Sequence, residues 1–174
     1  LMARRREDGG RTSDYEMAVW NLRTEENLPL AVSGDEIVRS PSWSPDEKTA
    51  AFYVRQSGAG KPWQIRVCPV TQDGPGDTFG GDVVVNPDFE SQGPAWEPSG
   101  RRVWFFSHEN SREAYYPLTA ADVDTGRLTT VDYPKCCTTP HDLSVNPTNP
   151  VPEIAFVAHD GLPKDLFIVF LNHY

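Results

Sequence analysis

Short apolar runs separated by polar turns fill this chain from end to end, and none of them carries the three-to-four-residue stripe of an amphipathic helix. Ala50-Ala51-Phe52-Tyr53-Val54, Trp63-Gln64-Ile65-Arg66-Val67, Val103-Trp104-Phe105-Phe106, Ile154-Ala155-Phe156-Val157-Ala158 and Leu166-Phe167-Ile168-Val169-Phe170 are rich in aromatic and β-branched residues. Such side chains fit a pleated, half-buried surface, so each run predicts a strand. Sixteen prolines and thirteen glycines favour tight turns between these strands. The pattern predicts an all-β protein.

The strands recur in units. Pro41-Ser42-Trp43-Ser44-Pro45-Asp46-Glu47-Lys48 precedes the run ending at Val54, and Pro94-Ala95-Trp96-Glu97-Pro98-Ser99-Gly100-Arg101 precedes the run ending at Phe106. Phe52 lies seven residues after Pro45 and Phe105 seven after Pro98, so the units are in register at 98 − 45 = 53. A third unit, with Pro147 and Phe156, follows at 147 − 98 = 49, carries two extra residues before its phenylalanine and has no tryptophan. Further apolar segments follow each unit: Tyr115 to Ala121 as a third strand, Asp82 to Val85 and Leu128 to Val131 as fourth strands. At the N-terminus, Leu1 to Ala3, Tyr15 to Leu22 and Leu28 to Val32 fit the second, third and fourth strands of a leading unit.

A repeat of roughly 40 to 50 residues with four short antiparallel strands has the size of one propeller blade. The expected fold is a partial β-propeller of about three to four such blades in one domain, with units near 1–38, 39–90, 91–139 and 140–174. In that frame Trp43 and Trp96 occupy the same point of the innermost strand, where packing between blades is the expected role ahead of ligand stacking. The Pro-Asp-Glu-Lys and Pro-Ser-Gly-Arg segments supply turn chemistry.

The Trp43-Ser44-Pro45-Asp46-Glu47-Lys48 segment followed by an apolar strand resembles the WD-like repeat of TolB-type propellers. The resemblance extends over nearly the whole chain, with departures at Glu47, where the family usually has glycine, at Glu97, which replaces the serine, and in the third unit. It implies a binding platform for proteins, peptides or carbohydrate, and a periplasmic or extracytoplasmic address. Similar propellers cap the catalytic domain of prolyl oligopeptidases, but the chain has no G-x-S-x-G nucleophile elbow and no room for an added hydrolase domain. No catalytic residue is expected.

Composition narrows the partners. A net charge of −9 argues against a nucleic-acid surface, which needs clustered cations. Arg4-Arg5-Arg6, offset by Glu7 and Asp8, reads as a solvated strand end. No apolar stretch approaches the roughly 20 residues of a membrane-spanning helix, and the opening residues lack the apolar core of a secretory signal.

The candidate site residues are polar. His108, His141, His159 and His173 are scattered without metal-ligand spacing, Asp73 and Asp77 form no regular calcium loop, and no cofactor motif is present. His141 and Asp142 precede an innermost strand, and Arg39 and Gln92 stand at corresponding places before Trp43 and Trp96, so the four could line a polar channel mouth. Cys68, Cys136 and Cys137 have no metal spacing; one disulfide to Cys68 and buried free thiols both remain open.

Three and a half blades leave sheet edges and apolar faces uncovered. The expected function is therefore a non-catalytic, protein-binding scaffold whose open faces dock on other subunits, as a peripheral component of a larger, membrane-associated assembly such as a secretion, respiratory or photosynthetic complex. The competing expectation is a ligand- or carbohydrate-binding propeller, or the propeller part of a prolyl-oligopeptidase-like hydrolase.

Overall fold

The structure is a computed structural model and describes residues 2–5, 15–29, 35–58, 61–70, 76–83, 93–108, 117–131, 138–148, 153–159 and 165–170. Those residues form fourteen strands and no helix. β1 (Met2–Arg5), β2 (Tyr15–Trp20) and β3 (Asn27–Pro29) make the first antiparallel sheet. β4 (Glu36–Trp43), β5 (Thr49–Gln56), β6 (Trp63–Pro69) and β7 (Asp77–Val83) make the second in simple up-and-down order. β8 (Ala95–Trp96), β9 (Arg102–His108), β10 (Leu118–Asp122) and β11 (Leu128–Val131) follow, and β12 (Thr138–Val145), β13 (Glu153–His159) and β14 (Asp165–Phe170) complete the chain.

These are the blades of a partial β-propeller, stacked face to face. Because side chains alternate across a strand, each blade of the middle pair sends one set of apolar residues backward and the other forward. Val38, Ala50, Phe52, Val54 and Cys68 of the second blade pack with Val19 of the first. The opposite face, with Ala51, Tyr53, Ile65, Val67 and Phe79, packs on Trp96, Val103, Phe105 and Ala121 of the third blade. Trp104, Phe106, Leu118, Ala120 and Val131 then meet Val145, Ile154 and Phe156 of the fourth, with Phe106 and Phe156 edge to face at 5.2 Å. Phe52, Trp104, Phe105 and Phe156 are among the most completely buried large side chains, so the recurring phenylalanine of each unit is a core position.

The second and third blades are also hydrogen-bonded to each other. The end of β7 pairs with the end of β9 through Asp82 with His108 and Val83 with Ser107. The short β8 takes the other half of that β9 edge, through Ala95 with Trp104 and Trp96 with Val103. Two blades thus become one eight-stranded sheet.

β7 begins at Asp77 rather than at Asp82, because Phe79 pairs with Ile65 and is buried; the apolar anchor is a single residue inside a polar stretch, too little to read as a strand. β10 is described from Leu118 onward, and Tyr115 and Tyr116 lie outside the described residues.

The repeat holds at the level of single hydrogen bonds. In the second blade the Ser44 amide donates to the Thr49 carbonyl at 2.8 Å, and in the third the Glu97 amide donates to Arg102 at 3.0 Å. Val70 and Val123 donate to Lys48 and Arg101, both at 2.9 Å, and 101 − 48 = 123 − 70 = 53. Position 47 and its counterpart 100 are both left-handed, φ 60° at Glu47 and 70° at Gly100. Ser44 and Asp46 bond at 2.6 Å inside this turn, and the Ser44 hydroxyl, foremost, holds the Asp46 carboxyl below its usual range. The fourth blade uses Asn146 and Thr148 in the same places, with the Thr148 hydroxyl donating to Asn146 at 2.8 Å.

A second recurring turn joins the third and fourth strands of a blade. Asn21 to Glu26 and Asp122 to Arg127 close with matched bonds, the Asn21 and Asp122 amides donating to Glu26 and Arg127, both at 2.9 Å. Glu25 (φ 59°) and Gly126 (φ 69°) hold the left-handed corner of each. The Thr125 hydroxyl is the leading cause of the lowered Asp122 pKa.

The left-handed corners give a paired prediction. Glu47→Gly removes strain and leaves stability unchanged or raised by up to about 1 kcal/mol, whereas Gly100→Ala lowers it by about 1–2 kcal/mol. Urea unfolding curves of the two variants check the opposite signs.

Candidate functional site

The innermost strands approach one another closely where the second and third blades meet. A Cβ at Gly93 would stand 3.0 Å from the Ser40 carbonyl oxygen, so any side chain there would require the neighbouring backbone to give by a few tenths of an ångström. The Ser42 hydroxyl donates to the Pro94 carbonyl, and the Trp96 indole Nε1 donates to the Ser42 carbonyl at 3.4 Å. Trp96 is buried in the core between these blades, while Trp43, its repeat partner, is half-buried.

β4 and β12 both carry a bulge at the same place. The register of β4 shifts between Arg39 and Ser42 with Ser40 at φ 50°, and that of β12 shifts between His141 and Ser144 with Asp142 at φ 55°. Ser40 lies three residues before Trp43, and Asp142 three before Val145, the residue matching Trp43 in the fourth blade. Arg39 and His141 therefore precede equivalent bulges, which re-aim the following residues. The His141 backbone pairs with Val157; its side chain, and all of Gln92, lie outside the described residues. Asp142 is exposed. The structure thus places Arg39 and His141 at matching backbone positions.

What Arg39 does meet is aromatic. Its guanidinium carbon sits 5.6 Å from the centroid of Trp63, and that of Arg55 sits 4.7 Å from the same ring. Arg39 pairs with Tyr53 and Arg55 with Ile37, so both lie on the face of the second blade that packs on the third. Tyr53 is buried beside them, and burial pushes its hydroxyl pKa well above the usual value. The Arg55 Nε is buried and has no hydrogen-bond partner.

On the opposite face of the same blade, Arg66 makes a bidentate pair with Glu36, Nη1 to Oε2 at 2.7 Å and Nη2 to Oε1 at 2.6 Å, with Gln56 also reaching Glu36 at 3.4 Å. In the third blade Glu97 is buried and accepts the Trp104 indole at 3.0 Å, with Arg102 3.7 Å away. This explains the departure from serine at position 97: the longer side chain reaches an indole that the second blade, with Ala51 in that place, does not have.

Sequence reasoning did not single out Arg55, Trp63 or Tyr53. The available signal was the alternation of Tyr53 and Arg55 on β5 and the position of Trp63 at the head of the partner strand. Among the described residues, no three His, Cys, Asp or Glu side chains gather as a metal site would require. No helix among them is long and apolar enough to cross a membrane. Cys68 is buried, and burial, foremost, raises its thiol pKa. Cys136 and Cys137 lie outside the described residues.

The fold has solved counterparts. A puromycin-hydrolyzing peptidase of Mycobacterium tuberculosis is similar at 18% identity and a TM-score of 0.59, over 84% of this chain and 21% of that one. A Bacteroides ovatus protein assigned as a dipeptidyl aminopeptidase IV gives 12% identity and a TM-score of 0.59, over 99% and 26%. The AtxE2 isopeptidase gives 17% and 0.51, over 73% and 22%. The regions matched are β-propeller domains, so the class of fold is a β-propeller, and the chain spans roughly a quarter of the length of these structures. No protein-family model matches the sequence. No curated protein sequence matches it either.

Two outcomes test this frame. Glu36→Ala strands the buried Arg66 guanidinium and lowers stability by about 3–5 kcal/mol, whereas replacing both partners by apolar residues of similar size costs far less; denaturant midpoints separate the two. Cys68 resists iodoacetamide in the folded chain and reacts in urea, since burial disfavours the thiolate; mass spectrometry of the alkylated peptide reads the difference.

Proposed function

We propose that this chain is a non-catalytic, protein-binding propeller segment, of TolB-like type, that works outside the cytoplasm and docks through its outer blade faces. One observation carries the reading. The recurring turn between third and fourth strands aligns Trp20 and Leu22 with Ala121 and Val123, since 121 − 20 = 123 − 22 = 101. In the second blade the same two places are Cys68 and Val70, as the Val70 and Val123 bonds show. Cys68 and Ala121 are fully buried against the preceding blade, with Val70 and Val123 packed beside them. Trp20 and Leu22 are instead 45% and 87% exposed.

The far side repeats the theme. Ala155 and Val157 stand where the third blade has Trp104 and Phe106, and they are partly exposed while those two are buried. Leu166, Ile168 and Phe170 pair with Val157, Ala155 and Glu153, which puts apolar residue types on the same face by register. Apolar faces of this extent favour a covering protein.

A second reading is supported by the likeness to three peptidases: the chain as the propeller portion of a prolyl-oligopeptidase-like hydrolase, with catalytic residues elsewhere in the polypeptide. In both readings these residues bind and brace.

Native mass spectrometry and sizing of the mildly extracted particle test the docking. The expected particle contains a second polypeptide besides the one that carries these residues, and Trp20→Asp with Leu22→Asp releases it. A folded particle that contains one copy of one polypeptide alone would overturn the proposal.

A further inference from the structure

We infer that Arg39, Arg55 and Trp63 form a binding site for a carboxylate carried on an apolar or peptide-like body, on the face of the second blade that meets the third. The site is independent of the docking faces. Among the arginines whose burial is described, Arg39, Arg55, Arg66 and Arg102 are half-buried or buried and the others are exposed. Arg66 is answered by Glu36 and Arg102 by Glu97. Among the described residues Arg39 and Arg55 have no carboxylate partner; they share one indole at 5.6 Å and 4.7 Å.

Two like charges on one ring repel each other, and the buried Arg55 Nε lacks an acceptor. An anion beside these guanidiniums would offset their repulsion and supply the acceptor that the Arg55 Nε lacks. Guanidinium presents its donors as a planar fork that matches a carboxylate, and its attraction strengthens where the local surroundings are desolvated by Trp63 and the buried Tyr53. The rest of the molecule limits the charge of the ligand. With a net charge of −9 the chain repels polyanions at long range, so a single carboxylate is favoured over a polyphosphate. Trp63 remains partly exposed and offers an apolar surface beside the charge, which a bare inorganic anion leaves unused. The left-handed Ser40, next to Arg39, and the close passage of Gly93 hold the β4 backbone in place.

The probes are N-acetyl-leucine, N-acetylleucinamide and inorganic phosphate, titrated into the whole chain at low ionic strength and followed by the side-chain 15N–1H signals of arginine Nε and by calorimetry. The acid is expected to bind and shift the Arg55 Nε signal, with the amide at least about tenfold weaker and phosphate weaker than the acid. Arg55→Gln and Arg39→Gln, each verified as folded by circular dichroism, should weaken the acid by about tenfold, and Arg55→Lys should recover part of the loss. The wild-type contrast between acid and amide requires no variant to fold. Equal binding of acid and amide, no binding of the acid, phosphate binding more tightly than the acid, or unimpaired binding in both glutamine variants would each overturn the inference.

Discussion

A β-sheet whose two faces are both apolar is stable in water only when something packs on each face, and every other feature of this structure depends on meeting that condition. The second and third blades meet it within the chain. Each alternates backward-facing and forward-facing apolar residues, so Phe52 and Val54 look toward the first blade while Ala51 and Tyr53 look toward the third. Large rings sit against small residues at these interfaces, as where Trp96 and Phe105 of the third blade cluster with Ala51 of the second. The first and fourth blades carry the same pattern, and there the outward positions Trp20, Leu22, Ala155 and Val157 remain accessible.

The turns make this stacking reproducible. Each innermost hairpin closes through a polar residue that caps the reversal, Ser44, Glu97 or Asn146, and the first two reversals need a left-handed residue at the corner. Gly100 adopts that conformation without strain, while Glu47 does so at some cost, offset by the Ser44 to Asp46 bond beside it. The close passage of Gly93 against Ser40 sets how near the innermost strands come, and the shared edge of β9 ties two blades into one sheet.

Electrostatics on the two faces of the second blade differ in kind. Arg66 faces a buried carboxylate that satisfies it on both nitrogens. Arg39 and Arg55 face an indole, which attracts a cation without neutralising it. The contrast follows from β-alternation: residues of one strand serve opposite interfaces, so a charge placed on the third-blade side cannot borrow Glu36 from the first-blade side.

Fold class, repeat spacing and the positions of Phe52, Phe105 and Phe156 were legible in the sequence, because alternation and turn chemistry are local and act through neighbouring residues. The same is true of the correspondence between Arg39 and His141, which the matching bulges place at equivalent backbone positions. Other features were not legible. Phe79 anchors β7 by packing across an interface, Glu97 replaces a serine because Trp104 lies above it, and Trp63 collects two arginines from strands that the sequence separates. The sequence by itself determined which residues could alternate, turn and repeat; only the tertiary structure decided which faces were covered and which charges met, since those depend on side chains brought together from different strands and different blades.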